Sequence, residues 1–271
     1  MGPVACAGPP ERNLWRLRTL ALTAAVGLVI ALVPTTAAQA AAPYRVTATI
    51  SSAKADVGQR VVITGRVSGP LSARKKLLVQ RKIGAGAWTT VRTVRTTKKS
   101  RYAAVVSVPT AGAQSLRVIA PRSKKRALGV SAVRNLVGWR WLDLTTQPRA
   151  SSNTVTTGPV SLAGRTYPRA FRFSNSGAQF TVGAGCTTVT AGLGRLSGAT
   201  GDEAGMARWE DNTTPPVAEA NVRLQQNAAP MTVTISVRGD SMVAIGGDQG
   251  TVAVAPRMYC PLNTLPQLNL D

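Results

Sequence analysis

The chain has 271 residues, with 33 lysines and arginines against 11 acids and no histidine, giving a formal net charge of +22. The missing histidine excludes Ser-His-Asp and Cys-His catalysis, together with histidine metal centres. The charge is uneven: residues 43–135 hold 20 basic residues against the single acid Asp56, whereas residues 136–271 hold 10 arginines, 9 acids and no lysine.

The N-terminus reads as a secretion signal. Arg12, Arg16 and Arg18 form a positive flank, residues 19–33 carry no charge, and small residues end in Ala38-Gln39-Ala40, the A-x-A pattern of a signal peptidase. The uncharged run is about 15 residues, short of the roughly 20 that a spanning helix needs. Residues 1–40 are therefore expected to be removed by cleavage near Ala40, with Ala38 and Ala40 as the small residues recognised. What remains is expected to be secreted or associated with the cell surface, with no stable membrane span. Cys6 precedes the apolar run and leaves with it. In an oxidising compartment the remaining pair, Cys186 and Cys260, reads as one disulfide. Two cysteines without histidine supply too few soft ligands for a metal site.

Residues 44–120 read as short strands rich in Val and Thr at 45–50, 60–68, 76–82, 88–94, 101–108 and 114–119. They are separated by turn residues, with no sustained 3.6-residue period, which is the pattern of an antiparallel sandwich. Residues 121–137 read as a linker. Strands resume at 154–162, 167–173, 178–182, 187–192, 207–210, 222–225, 231–237, 242–245 and 251–255, again spaced as in a β-sandwich, of jelly-roll type. The expected architecture is all-β: two β-sandwich domains, the first over 44–120 and the second, jelly-roll-like, over 138–271.

Two sets of residues are candidates for binding. Arg74, Lys75, Lys76, Arg81, Lys82, Lys98, Lys99 and Arg101 cluster in the basic half and would attract a polyanion by long-range steering. The plain alternative is solvated strand edges, where lysine discourages edge pairing. For a sugar, the requirement is a flat apolar face beside groups that bond hydroxyls. Trp209 followed by Glu210, Asp211 and Asn212 supplies that combination in one loop. Trp139 and Trp141, two apart on an extended stretch, face the same side and form a platform. A tryptophan near a strand end also serves to close a sandwich edge, and both readings stand. Trp88 and Tyr102 carry the same two readings. The acids are scattered, with Asp202-Glu203 and Glu210-Asp211 the closest groups, so no carboxylate pair for glycosidase chemistry stands out. Gly183-Ala184-Gly185 and Gly246-Gly247 precede no helix and read as turns. No enzyme, cofactor or metal is expected.

Two resemblances sharpen this. VGQRVVITGRVSG (57–69), KKLLVQRKIGAGAWTTVRT (75–93), RYAAVVSVPTAG (101–112) and SLRVIA (115–120) resemble the bacterial Ig-like repeats of exported multidomain proteins, which implies a spacer or adhesive module. Trp139-Arg140-Trp141-Leu142, VSLAGRTYPRAF (160–171), AQFTVGAGCTTVTAGLG (178–194) and MTVTISVRGDSMVAIGG (231–247) resemble the NPCBM (novel putative carbohydrate-binding module) family. That second resemblance implies glycan binding, and it places Cys186 in a mid-domain strand beside the last strand, which carries Cys260. The expected partner is a glycan or an anionic cell-wall polymer rather than nucleic acid. The alternatives are a structural or adhesive surface protein without sugar binding, or a non-catalytic accessory region of a glycan-active system. Oligomeric state is not legible.

Overall fold

The computed structural model describes residues 42–267 apart from 125, 152–154 and 212–214. The expected signal segment, with Ala38 and Ala40, and the candidate Asn212 lie outside the described residues.

The described chain is all-β, with one short 3-10 turn at Leu144–Thr146. The first half holds β1 (Arg45–Val46), β2 (Thr49–Ile50), β3 (Lys54–Asp56), β4 (Arg60–Ser68), β5 (Lys76–Ile83), β6 (Thr89–Arg95), β7 (Arg101–Ser107), β8 (Gly112–Ala120) and β9 (Gly129–Val130). Alternation dictates its core. Val61, Ile63 and Val67 of β4 and Tyr102, Ala104 and Val106 of β7 face inward from one sheet. Leu77 and Val79 of β5 and Leu116 and Val118 of β8 face them from the other. Each fully buried leucine or valine contributes about 1.5–3 kcal/mol. Gly65 interrupts the β4 series for a steric reason, since a Cβ there would lie 1.9 Å from the Thr47 carbonyl oxygen. That same oxygen accepts the buried Tyr102 hydroxyl at 2.6 Å. Tyr102 is therefore core, not a sugar platform.

β10 (Arg134–Asp143) joins the halves. Its first five residues pair antiparallel with β8, and Val137–Trp139 pair in parallel with β3. Its last four, Arg140 to Asp143, pair with Cys260 back to Arg257 of the final strand. The segment read as a linker thus contains β9 and the start of β10, both hydrogen-bonded to β8. One eleven-stranded sheet runs through both halves.

The second half adds β11 (Thr156–Leu162), β12 (Arg165–Arg172), β13 (Ser176–Thr181), β14 (Thr188–Arg195), β15 (Glu203–Trp209), β16 (Val217–Arg223), β17 (Met231–Ser236), β18 (Met242–Gly247) and β19 (Thr251–Cys260). A four-stranded sheet in the order β13-β18-β15-β16 faces the large sheet across a core of Phe171, Phe180, Leu193, Met206, Ile245 and Met258. Cys186 and Cys260 are joined by a disulfide inside that core, with Cα atoms 4.1 Å apart. The molecule is thus built of β-sandwich layers, with one hydrophobic core on each side of β10.

Candidate functional site

The outer face of β19 is set by a bulge. Thr190 pairs with Arg257 and Gly192 with Val254, so Ala191 alone opposes both Ala255 and Pro256. Ala255 takes a φ of +47° to accommodate the extra residue. Before the bulge, Val252 and Val254 face outward into a satellite cluster with Val160, Leu162 and Ala170, while Ala253 faces the main core. After it, Met258 and Cys260 face the core, so Arg257 and Tyr259 face outward. A one-residue shift reverses every side chain that follows. The bulge is what puts Arg257 and Tyr259 on the outer face.

That face carries an aromatic row. Trp141 lies directly opposite Tyr259 across the β10–β19 ladder, with ring centroids 5.1 Å apart, and Trp139 lies 5.0 Å from Tyr259 on its other side. Both contacts are tilted stacks within the favourable range for aromatic pairs. A cation closes each end of the row. The Lys54 ammonium sits 3.6 Å from the Trp139 centroid, and the Arg257 guanidinium 4.6 Å from that of Trp141. The Tyr259 hydroxyl donates to the Asp56 carboxylate. Burial, and then the hydrogen bond and charge of Asp56, push the phenol up to about 12. The sole acid of the basic half is therefore spent on the aromatic row of the other half. Asn263 adds a second tie, its Oδ1 accepting from the Thr110 hydroxyl at 2.8 Å and the Ala111 amide at 3.3 Å.

Clefts flank the row. β10 and β12 both pair with the same edge of β19, through residues 257–260 and 252–254 respectively, and they part at the bulge. The gap is a cleft of about 230 Å³ lined by Trp141, Tyr167, Pro168, Pro256, Asp143 and Arg169. Its two prolines have no N–H with which to close the ladder. Asp143 holds Arg169 at 2.6 Å and caps the short 3-10 turn through the Thr145 amide. A second cleft, of about 410 Å³, shares Tyr167 and Arg257 and adds Arg165, Thr190, Gly192 and Thr232. The β11–β12 hairpin folds back over β14 to form a wall: Leu162 Cδ1 lies 2.5 Å from where a Cβ on Gly194 would be. A third cleft, of about 520 Å³, lies beside Lys54, Trp139, Thr187, Arg238 and Asp240.

The two candidate sugar groups thus separate. Trp139 and Trp141 come together on the outer face of the large sheet. Trp209 ends β15 in the smaller sheet, its carbonyl accepting from the Ser241 amide at 2.8 Å. Glu210, exposed beside it, pairs with Arg208 at 3.3 Å. Asp211 is exposed in the loop that follows. Arg208 also holds Glu219 at 2.6 Å and the buried Asp240 at 2.9 Å, and these hydrogen bonds hold its guanidinium above the usual arginine range. That constellation ties β15 to β16 and to the turn before β18. Among the described residues, no group of three histidine, cysteine, aspartate or glutamate side chains is placed to hold a metal ion. No helix there is long and apolar enough to cross a membrane.

The basic residues divide as well. The loops bearing Arg74–Lys76 and Lys98–Arg101 lock together at one end of the first sandwich. Thr96 donates to the Ser72 carbonyl at 2.6 Å, and the Ser72 and Ser100 hydroxyls meet at 2.8 Å. Ser100, at a φ of +60°, closes the tight turn through its amide to the Thr97 carbonyl. Lys76 stands opposite Arg95, and Arg66 opposite Arg101, like charges paired across strands. Lys82 is half-buried on β5. Arg81 does not belong to this surface. It follows Leu77 and Val79 on the inward face of β5, it is 7% exposed, and burial lowers its pKa. Trp88 is covered by Arg117, whose guanidinium lies 4.1 Å from its ring centroid.

The residues that composition did not single out are Tyr259, Arg257, Tyr167, Arg165, Arg169 and Lys54. The period-two spacing of Arg257 and Tyr259 before Cys260 was the available signal. No protein-family model matches this chain, and none of the curated proteins matches its sequence.

Proposed function

We propose that this is an exported cell-envelope binding protein that recognises glycans through the outer face of its C-terminal half, with a basic N-terminal half that attracts anionic wall polymers. The observation that carries the reading is the Trp139–Tyr259–Trp141 row and the adjoining cleft, where apolar rings lie beside Asp143, Arg169 and Arg257. Flat apolar surface with charged groups at its rim is what a pyranose requires, because sugar hydroxyls left unpaired on binding would cost desolvation energy. Trp141 is 40% exposed, so the part of its ring not under Arg257 is open to a ligand. Support for the basic half comes from the like-charged cross-strand pairs at its end. They cost stability within the fold and are relieved by an anionic partner.

A structural reading also has a specific observation behind it. Lys54 and Asp56 of the first half cap the aromatic row, so the row also holds the two halves together. Co-sedimentation of the full, oxidised chain with purified wall polysaccharide at low salt and at about 1 M NaCl separates the readings, because screening weakens charge contacts but leaves ring stacking. Retention at high salt that Trp141→Ala abolishes supports glycan recognition. Binding that salt releases and Trp141→Ala leaves unchanged assigns the protein to charge tethering, with the aromatic row structural.

A further inference from the structure

We infer that the glycan taken by this face is acidic, a polymer of uronate pyranoses whose carboxylates are held by Arg257 and Arg165. This rests on the glycan reading above and names the class of sugar. Arg257 lines both adjoining clefts, and its guanidinium stacks at 4.6 Å on Trp141. Arg165 stands across the second cleft, stacked at 5.2 Å on Tyr167. Both arginines are exposed, and among the described residues neither forms an ion pair. Their neighbour Arg169 is matched by Asp143. Across the two clefts three arginines thus stand against one carboxylate, Asp143, which pairs with Arg169, and the surplus charge sits on the two that are stacked on rings.

The chemistry of that stack selects the ligand. A guanidinium lying on an aromatic face satisfies its flat side and leaves its in-plane N–H fork to bond outward. That fork matches a planar carboxylate through two parallel N–H···O bonds. In a uronate the carboxylate is attached to the pyranose itself. A pyranose packed in the cleft against the open part of Trp141 or Tyr167 therefore carries its charge within reach of the arginine stacked on that ring. A neutral sugar would leave both guanidinium groups unmatched, and a polyanion without rings would leave the aromatic surface uncovered.

The test uses the full, oxidised chain and three soluble probes at about 0.5 M NaCl, where exposed charges more than a few ångströms apart are largely screened. The probes are polygalacturonate, a neutral β-glucan and polyglutamate, with affinity read by titration calorimetry. Polygalacturonate is expected to bind most tightly. Arg257→Gln and Arg165→Gln are each expected to weaken it by about 10-fold or more, as the loss of a charge-assisted hydrogen bond predicts. Arg257→Lys is expected to recover only part of the loss, because an ammonium lacks the fork. Arg223→Gln, exposed on the smaller sheet and away from both clefts, is expected to change little. Equal binding of neutral glucan, unaffected by Arg257→Gln but lost in Trp141→Ala, would overturn the uronate inference and leave the glycan reading intact. Binding of polyglutamate as tight as polygalacturonate, or no binding of either sugar polymer, would overturn both.

Discussion

Replacing Tyr259 by phenylalanine removes the hydroxyl that joins the last strand to the basic half and leaves the rings of the aromatic row in place. The bond lost is one to the Asp56 carboxylate, and hydrogen bonds to charged groups contribute about 1.5–3 kcal/mol. Tyr259 is half-buried, so the lower part of that range, about 1.5–2 kcal/mol, applies. For a folded unit of this size that corresponds to a fall in Tm of about 3–8 °C, read by scanning calorimetry. The pH dependence supplies a second signature. In the fold the phenol is pushed from 10.0 up to about 12, so its protonated form is favoured by folding. The stability it adds is complete below about pH 10 and is lost as pH rises through about 12. Tyr259→Phe should therefore flatten the alkaline fall in stability while lowering Tm at neutral pH. In a double-mutant cycle, Asp56→Ala and Tyr259→Phe should be non-additive by about 1 kcal/mol or more. Additive effects, or a Tm change under about 1 °C in Tyr259→Phe, would refute the latch between the halves.

Two further outcomes follow from the fold. The Cys186–Cys260 bond closes a separation of 74 residues, so Cys186→Ala/Cys260→Ala should cost about 4 kcal/mol in the chain-entropy account and lower Tm by about 8–16 °C, measured against the oxidised chain. Arg208→Met should lower Tm clearly more than Arg223→Met, because it strands the Asp240 carboxylate, whose side chain is 2% exposed, whereas the Arg223–Glu203 pair lies open to water; equal Tm values would contradict that placement.

The strands were legible where the period of two was long enough to count. β4 and β7 show it directly, and in the second half β13, β14, β17 and β18 fall within a few residues of their expected positions. β3 and β9, of three and two residues, have no periodicity to read and exist only because β10 and β8 offer them edges. β10 was half visible. Trp139 and Trp141 announce an extended stretch, but its start in Arg134-Asn135 looks like the end of a basic linker. Residues 251–255 read as a strand, and only the resemblance puts Cys260 on a last strand; Pro256, which removes a ladder donor, stands between them. The strand continues by making Ala255 and Pro256 a bulge, and the outward placement of Arg257 and Tyr259 depends on it. Arg81 shows the converse: alternation with Leu77 and Val79 already pointed it inward, and reading it with its basic neighbours overrode that signal. The aromatic row itself was visible only as two tryptophans on one side. Its central ring lies more than a hundred residues further along the chain, brought in by antiparallel pairing that local sequence does not encode.

The most direct measurement sets the two tryptophan-bearing faces against each other. Trp141→Ala and Trp209→Ala, each in the full, oxidised chain, are pelleted with wall polysaccharide at about 1 M NaCl, where screening leaves stacking dominant. Loss of binding in Trp141→Ala with Trp209→Ala retained is the result predicted for recognition on the outer face of the large sheet. Loss in Trp209→Ala with Trp141→Ala retained would move the site to the loop after β15 and contradict the account.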